Sequence, residues 1–275
     1  LVLMYVSLCS GSVFTVLQTK RRAEEAVPFT ITGIIGILYL FYVADHLLAG
    51  FYTVIGIIAA VYLYAVYTLL YRGLVKKEKE RIRQIAQRLL TPGMVIFTVL
   101  FLALDVMTRH NLVGTWDELR MWAAYPKALY FTNRLQLGFD QLLYSIMQEY
   151  PPGMALFQYF IQRLCGCFVE AKLFWAYGIF AFSVLLPALR NMRWKHLWWT
   201  ILVAFCVFVT PMLFSNSGQG ALNMYRSLFI DPMLGLLFAY CLLISYQDGF
   251  SDGFATVRFA AVLGALVLLK NTGAA

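Results

Sequence analysis

Apolar residues in this chain fall in long, nearly unbroken runs, at about 1–18, 27–45, 49–71, 92–108, 173–189, 197–214, 227–246 and 259–275. Roughly 17 to 25 apolar residues suffice for a helix to cross a bilayer, and a helix satisfies its own backbone polar groups in hydrocarbon. The pattern predicts an all-α integral membrane protein with about eight transmembrane helices. Between the fourth and fifth runs lies the one long stretch of mixed polarity, 109–172. The last run reaches the chain end and no initiator Met opens the sequence, so the chain reads as a fragment of something longer.

The charged positions repeat with the runs. Lys20, Arg21 and Arg22 follow the first; Arg72, Lys76, Lys77, Lys79, Arg81, Arg83 and Arg88 follow the third; Arg190, Arg193 and Lys195 follow the fifth; Arg258 precedes the eighth. Under the positive-inside rule these connections are cytoplasmic, and 46–49, 109–172 and 215–226 lie outside. The 109–172 loop has six Lys or Arg of its own, but loops beyond about 60 residues weigh little in that rule. The chain then divides into 1–91, N-terminal transmembrane helices with a basic cytoplasmic loop, and 92–275, a transmembrane core carrying the outer loop.

Composition supports this division. Hydrophobic residues make up 61% of the chain, charged residues 13%, and the mean hydropathy of +0.71 is far above that of an ordinary soluble domain. The net charge of +8 follows from the basic loops, so it points to membrane lipid and not to nucleic acid. Cys9, Cys165, Cys167, Cys206 and Cys241 have neither disulfide-framework nor zinc-ligand spacing, and no metal site is expected from them.

Within the outer loop, Thr115 and Glu118 have the spacing of a capping box, which predicts a helix from Trp116 to about Ala124, where Pro126 discourages helical geometry at Tyr125. Neighbours on a helix point about 100° apart, so Asp117 and Glu118 cannot readily serve one substrate atom. Glu118 has a capping role, which leaves Asp117 as the better catalyst; its plainer role is to favour the helix dipole and pair with Arg120. Trp116, Leu119, Trp122, Ala123, Leu129 and Tyr130 form an apolar aspect beside Asp117, Arg120, Lys127 and Arg134, the pattern of a helix on a membrane interface. Lys127 and Arg134 suit either a specific phosphate or ordinary lipid. Tyr150-Pro151-Pro152-Gly153 fixes an extended turn before a second interfacial helix, about 152–164, packed on the first, and could wall a sugar pocket. Asn223, Tyr225, Arg226 and Asp231 stand at the outer mouth of the seventh run. Lys270 lies in the outer half of the eighth run, where an ionisable group is costly and Asp231 is its natural partner. Ser215 to Gly220 has the composition of a flexible loop. No Walker loop, dinucleotide fingerprint, HExxH or G-x-S-x-G occurs.

These segments resemble the GT-C class of polytopic glycosyltransferases, in particular bacterial members in which D-E-x-x-x-W-A…K opens the first large outer loop and Y-P-P-G closes it. Here the matching residues are Asp117, Glu118, Trp122, Ala123, Lys127 and Tyr150 to Gly153, with Tyr225 to Asp231 and Leu269 to Gly273 similar to later segments. The resemblance covers about residue 92 to the end. It implies an inverting transfer of a sugar from a polyprenyl-phosphate donor to a cell-envelope acceptor outside a bacterial plasma membrane, with Asp117 as general base. Lys127, Arg134, Arg226 and Lys270 would face the donor phosphate, and Trp122, Tyr150, Pro151, Pro152 and Asp231 would line the pocket. No cofactor is required by that chemistry; it admits a divalent cation, which the residues do not indicate. A surface-polysaccharide polymerase or ligase and a lipid-linked sugar flippase are the alternative classes; a flippase should show related halves, and a polymerase should carry its large loop later in the chain.

Overall fold

The computed structural model describes residues 1–19, 21–134, 150–213, 227–249 and 252–270, with side chains at 210–213 excepted. Among these residues the secondary structure is helical, with no strand: α1 Val2–Gln18, α2 Val27–Val43, α3 Leu47–Leu70, α4 Lys79–Leu89, α5 Pro92–Thr108, α6 Ala124–Thr132, α7 Gly153–Cys165, α8 Glu170–Leu185, α9 Leu197–Leu213, α10 Asp231–Asp248 and α11 Gly253–Leu269. Several boundaries follow from local chemistry. Thr91 Oγ1 accepts from the Met94 amide and Pro92 occupies the first turn of α5, a position where its missing N–H costs nothing. Asp252 Oδ1 accepts from Ala255 N at the start of α11. Asn133, Gly166 and Gly249 take left-handed backbone and close α6, α7 and α10.

Among the described residues each of the eight apolar runs contributes a helix, but these are unequal as membrane spans. Ala23–Val43, Leu47–Val75 and Glu170–Leu189 are long and apolar enough to cross on their own, and Lys79–Leu89 with Pro92–Thr108 makes a fourth candidate bent by 46°. Helices of 17 residues such as α1, α9 and α11 reach about 26 Å at 1.5 Å per residue, against a hydrocarbon core of about 30 Å. The membrane character shows best on α3, whose Leu63, Val66 and Leu70 are exposed and would be stranded in water without lipid.

The helices run between two ends. At one end, Arg22 donates to Met192 O, Arg88 to Thr19 O and Trp194 Nε1 to Leu90 O, so the basic connections that follow α1, α3 and α8 meet. At the other, the 109–134 stretch, the Tyr150 corner, the start of α10 and the end of α11 come together.

Three expectations need correction. Pro126 does not end a helix: the chain makes a π-helical turn at Glu118–Trp122 and continues as α6 through Thr132, with Pro126 in the first turn of α6. The second loop helix, α7, is not interfacial. Ala155, Leu156 and Ile161 fill the gaps between its other apolar residues, and the whole stretch Gly153–Gln162 is buried among α2, α6, α8 and α11. Its two buried glutamines bond backbone, Gln158 to Leu173 O and Gln162 to both N and O of Val169, which makes the burial tolerable. Finally, α11 starts six residues before the apolar run, so Arg258 lies inside the helix and Lys270 only caps its end.

Candidate functional site

A π turn begins at the second of the two adjacent carboxylates, Glu118. Ala123 N bonds back to Glu118 O, one residue beyond the α-helical partner, and such an inserted residue swings the preceding side chains; π turns recur at functional sites. Glu118 ends up buried, 3% exposed. Its Oε2 accepts from Thr115 N at 3.4 Å and its Oε1 from Leu228 N at 3.0 Å. The first bond is half of the predicted capping box; the Thr115 hydroxyl has no partner among the described residues. The second bond ties the loop to the segment entering α10, which Tyr177 also holds by donating to Phe229 O at 2.6 Å. Asp117 is exposed, and Arg120 stacks over the Trp116 ring and is not within ion-pair distance of it.

Beside Glu118, Trp122 and Tyr150 meet edge to face at 5.3 Å. With Pro151, Tyr125, Met154, Leu228 and Leu269 they line a crevice of about 20 Å³, room for about one water. Tyr125 shares a hydrogen bond of 3.0 Å with Tyr42; burial, then the Tyr42 hydroxyl, pushes its phenol up, so it stays protonated at neutral pH. Pro152 is buried as the N-cap of α7. A Cβ on Gly153 would stand 2.5 Å from Leu268 O, so the Tyr-Pro-Pro-Gly corner presses directly on the end of α11. There Lys270 Nζ meets Asp231 Oδ1 at 2.6 Å, the Asp side chain 68% exposed.

The structure thus brings Glu118, Trp122, Tyr150, Pro151, Asp231 and Lys270 to one end, the aromatic corner abutting the lysine-bearing terminus. Lys127 and Arg134 do not line the crevice: Lys127 is exposed over the Phe168 ring, and Arg134 faces Asp45 at 3.4 Å on the surface. Asn223, Tyr225, Arg226, the 215–220 loop and 271–273 lie outside the described residues. No group of three His, Cys, Asp or Glu able to hold a metal occurs among those described.

Sequence reasoning missed two ionic assemblies. Asp105, the one charge in the 92–108 run, pairs with Lys172 near the same end. At the basic end, Arg21, Arg190 and Arg258 share Glu25 and Asp248 across four parts of the chain: Arg21 and Arg190 reach Asp248 at 2.7 and 2.8 Å, and Arg258 reaches Glu25 at 3.0 and Asp248 at 2.5 Å. Arg258 is 1% exposed. Arg21 also pairs with Asp252 and holds that carboxyl below the usual carboxylate range. Its signal was in the sequence: each acid, Glu25, Asp248 and Asp252, sits beside a basic connection and could have been matched to it.

No family model, curated protein or solved structure matches the chain.

Proposed function

We propose that the chain is a multi-pass membrane glycosyltransferase of the GT-C class, with about eight spans, working on the outer face of a bacterial plasma membrane. Asp117 takes the proton from an acceptor hydroxyl; the acceptor oxygen forms the new bond to the anomeric carbon as the bond from that carbon to the phosphate oxygen breaks, and polyprenyl phosphate leaves. The configuration inverts. Lys270, with Arg226 nearby in sequence to Asp231, offsets the charge developing on the departing phosphate.

One observation carries this reading: of two adjacent carboxylates, Glu118 spends both oxygens on backbone amides, whereas Asp117 stands exposed and unoccupied by any described cation. A general base must be free to reach its proton donor. The Trp122–Tyr150 corner supplies an aromatic wall for the sugar, and because the crevice holds about 20 Å³, sugar entry requires it to open. In an assay of purified protein with a polyprenyl-phosphate sugar, Asp117→Asn should lose at least about 100-fold in rate while folding normally. Glu118→Gln should instead lower stability by on the order of 1 kcal/mol. Full transfer by Asp117→Asn removes Asp117 as the base.

A further inference from the structure

The arginines of the basic end are of two kinds. Arg21, Arg190 and Arg258 are neutralised by Glu25, Asp248 and Asp252. Arg22, Arg83 and Arg193 have no acid within ion-pair distance among the described residues, and these three line a single cavity of about 460 Å³. They come from separate elements: Arg22 before α2, Arg83 on α4, Arg193 after α8. Arg22 is fixed by donating from Nη1 to Met192 O at 2.8 Å. The rest of the wall is Gln87 and Thr91 together with apolar Leu90, Pro92, Met192 and Trp194. Thr91 Oγ1 accepts from Met94 N and its hydroxyl faces the Glu24 carboxyl, so the arginines and Gln87 are the donors left for a ligand. Among the described residues no carboxylate lines the cavity; Glu24 is buried behind its wall, against Gly93 and Thr91.

We propose that this cavity binds a phosphate-bearing anion, supplied as the headgroup of an anionic phospholipid. Converging guanidiniums present the paired donors that phosphate oxygens accept, and the volume suits a headgroup. The apolar share of the wall, with Trp194 about half exposed, matches the glycerol and first acyl carbons below a headgroup phosphate, where a free anion would have nothing to contact. Along one side runs α4, a basic helix burying only Ile85, the form of a helix lying on a charged membrane surface. The site is at the end of the molecule opposite to Asp117 and does not depend on the transfer chemistry.

Native mass spectrometry of the full chain in detergent tests it, with phosphatidylglycerol, phosphatidylcholine or inorganic phosphate added separately. The wild type should retain one phosphatidylglycerol in preference to phosphatidylcholine. Arg83→Gln with Arg193→Gln, both exposed positions, should weaken that retention about fivefold for each arginine removed, while Arg81→Gln, on the same helix but outside the cavity, leaves it unchanged. Retention of inorganic phosphate by the wild type and not by the double variant, without preference for phosphatidylglycerol, would keep the phosphate site and assign it to a soluble ligand. Equal retention of both lipids with no phosphate bound, or an equal loss in Arg81→Gln, overturns the proposal.

Discussion

Arg258 shows how a fully buried cation is tolerated in a helix of this bundle: its guanidinium bonds Glu25 and Asp248 at once. Arg258→Met would leave both acids short of a partner in the interior, an error that costs about 3–5 kcal/mol when one member of a buried pair is removed. The expected result is a large fall in thermal stability, read by a melting assay in detergent. Lys270 is the opposite case. Because Asp231 is 68% exposed, Lys270→Met strands its partner in solvent and not in a core, and the loss should stay below about 1 kcal/mol. A raised KM for donor in that variant therefore reports a lost phosphate contact; recovery of normal KM on adding Asp231→Asn would remove the phosphate role. Asp252 gives a pH dependence. Its carboxyl lies below the ordinary range because Arg21 bonds it, so its contribution is present above the unfolded value of about 3.9 and fades as pH falls through the lower folded value. Asp252→Asn keeps an oxygen for the α11 cap but should flatten the stability profile below about pH 4.

At the scale of elements, α7 and α11 are the pair whose packing fixes the candidate site. Gly153 allows α7 to begin against the last turn of α11, since an added Cβ would stand 2.5 Å from Leu268 O, a backbone atom that cannot swing aside. Gly153→Ala should cost about 1–3 kcal/mol by overpacking and loosen the crevice between Tyr150 and Leu269. Gly264→Ala, in α11 itself with nothing within 4 Å, should be neutral or slightly stabilising, so melting curves of the two variants separate the contact from general helix propensity. This contact also marks what could be read in advance. Apolar runs located the long helices, because burial of the backbone in hydrocarbon demands them, and the proline corner located the start of α7. Amphipathicity placed α7 wrongly on the membrane surface, since apolar spacing alone does not say whether the polar face meets water or, as with Gln158 and Gln162, backbone of α8. Pairings between elements distant in sequence, Arg21 with Asp248 or Glu118 with Leu228, were invisible because periodicity carries no tertiary register. The backbone-bonding role of Glu118 beside an outward Asp117 was legible from spacing, but the π turn at Glu118–Trp122 was not.

For the whole molecule, the two-ended arrangement gives a forecast that does not depend on how many of the helices cross. Arg22, Arg88, Arg190, Arg193 and Arg258 gather at one end and the Asp117 loop at the other, because α1, α2, α3, α5 and their successors alternate in direction. If the bundle spans a bilayer, the positive-inside rule sets the arginine end in the cytoplasm, and the loop end must then face outward. Single cysteines introduced into a variant lacking the five native ones test this. Gly114→Cys, at an open exposed position beside Asp117, should react in intact cells with a thiol reagent that cannot cross the membrane. Lys195→Cys, exposed at the arginine end and outside the proposed headgroup cavity, should react only after permeabilisation. Labelling of both positions in intact cells would show that the ends do not lie on opposite sides, and reversed labelling would place Asp117 in the cytoplasm, away from any acceptor of the outer envelope. Either result removes the proposed transfer while leaving the helix packing intact; the forecast pattern leaves the outer face as the only compartment in which Asp117 and Lys270 could meet a lipid-linked donor together.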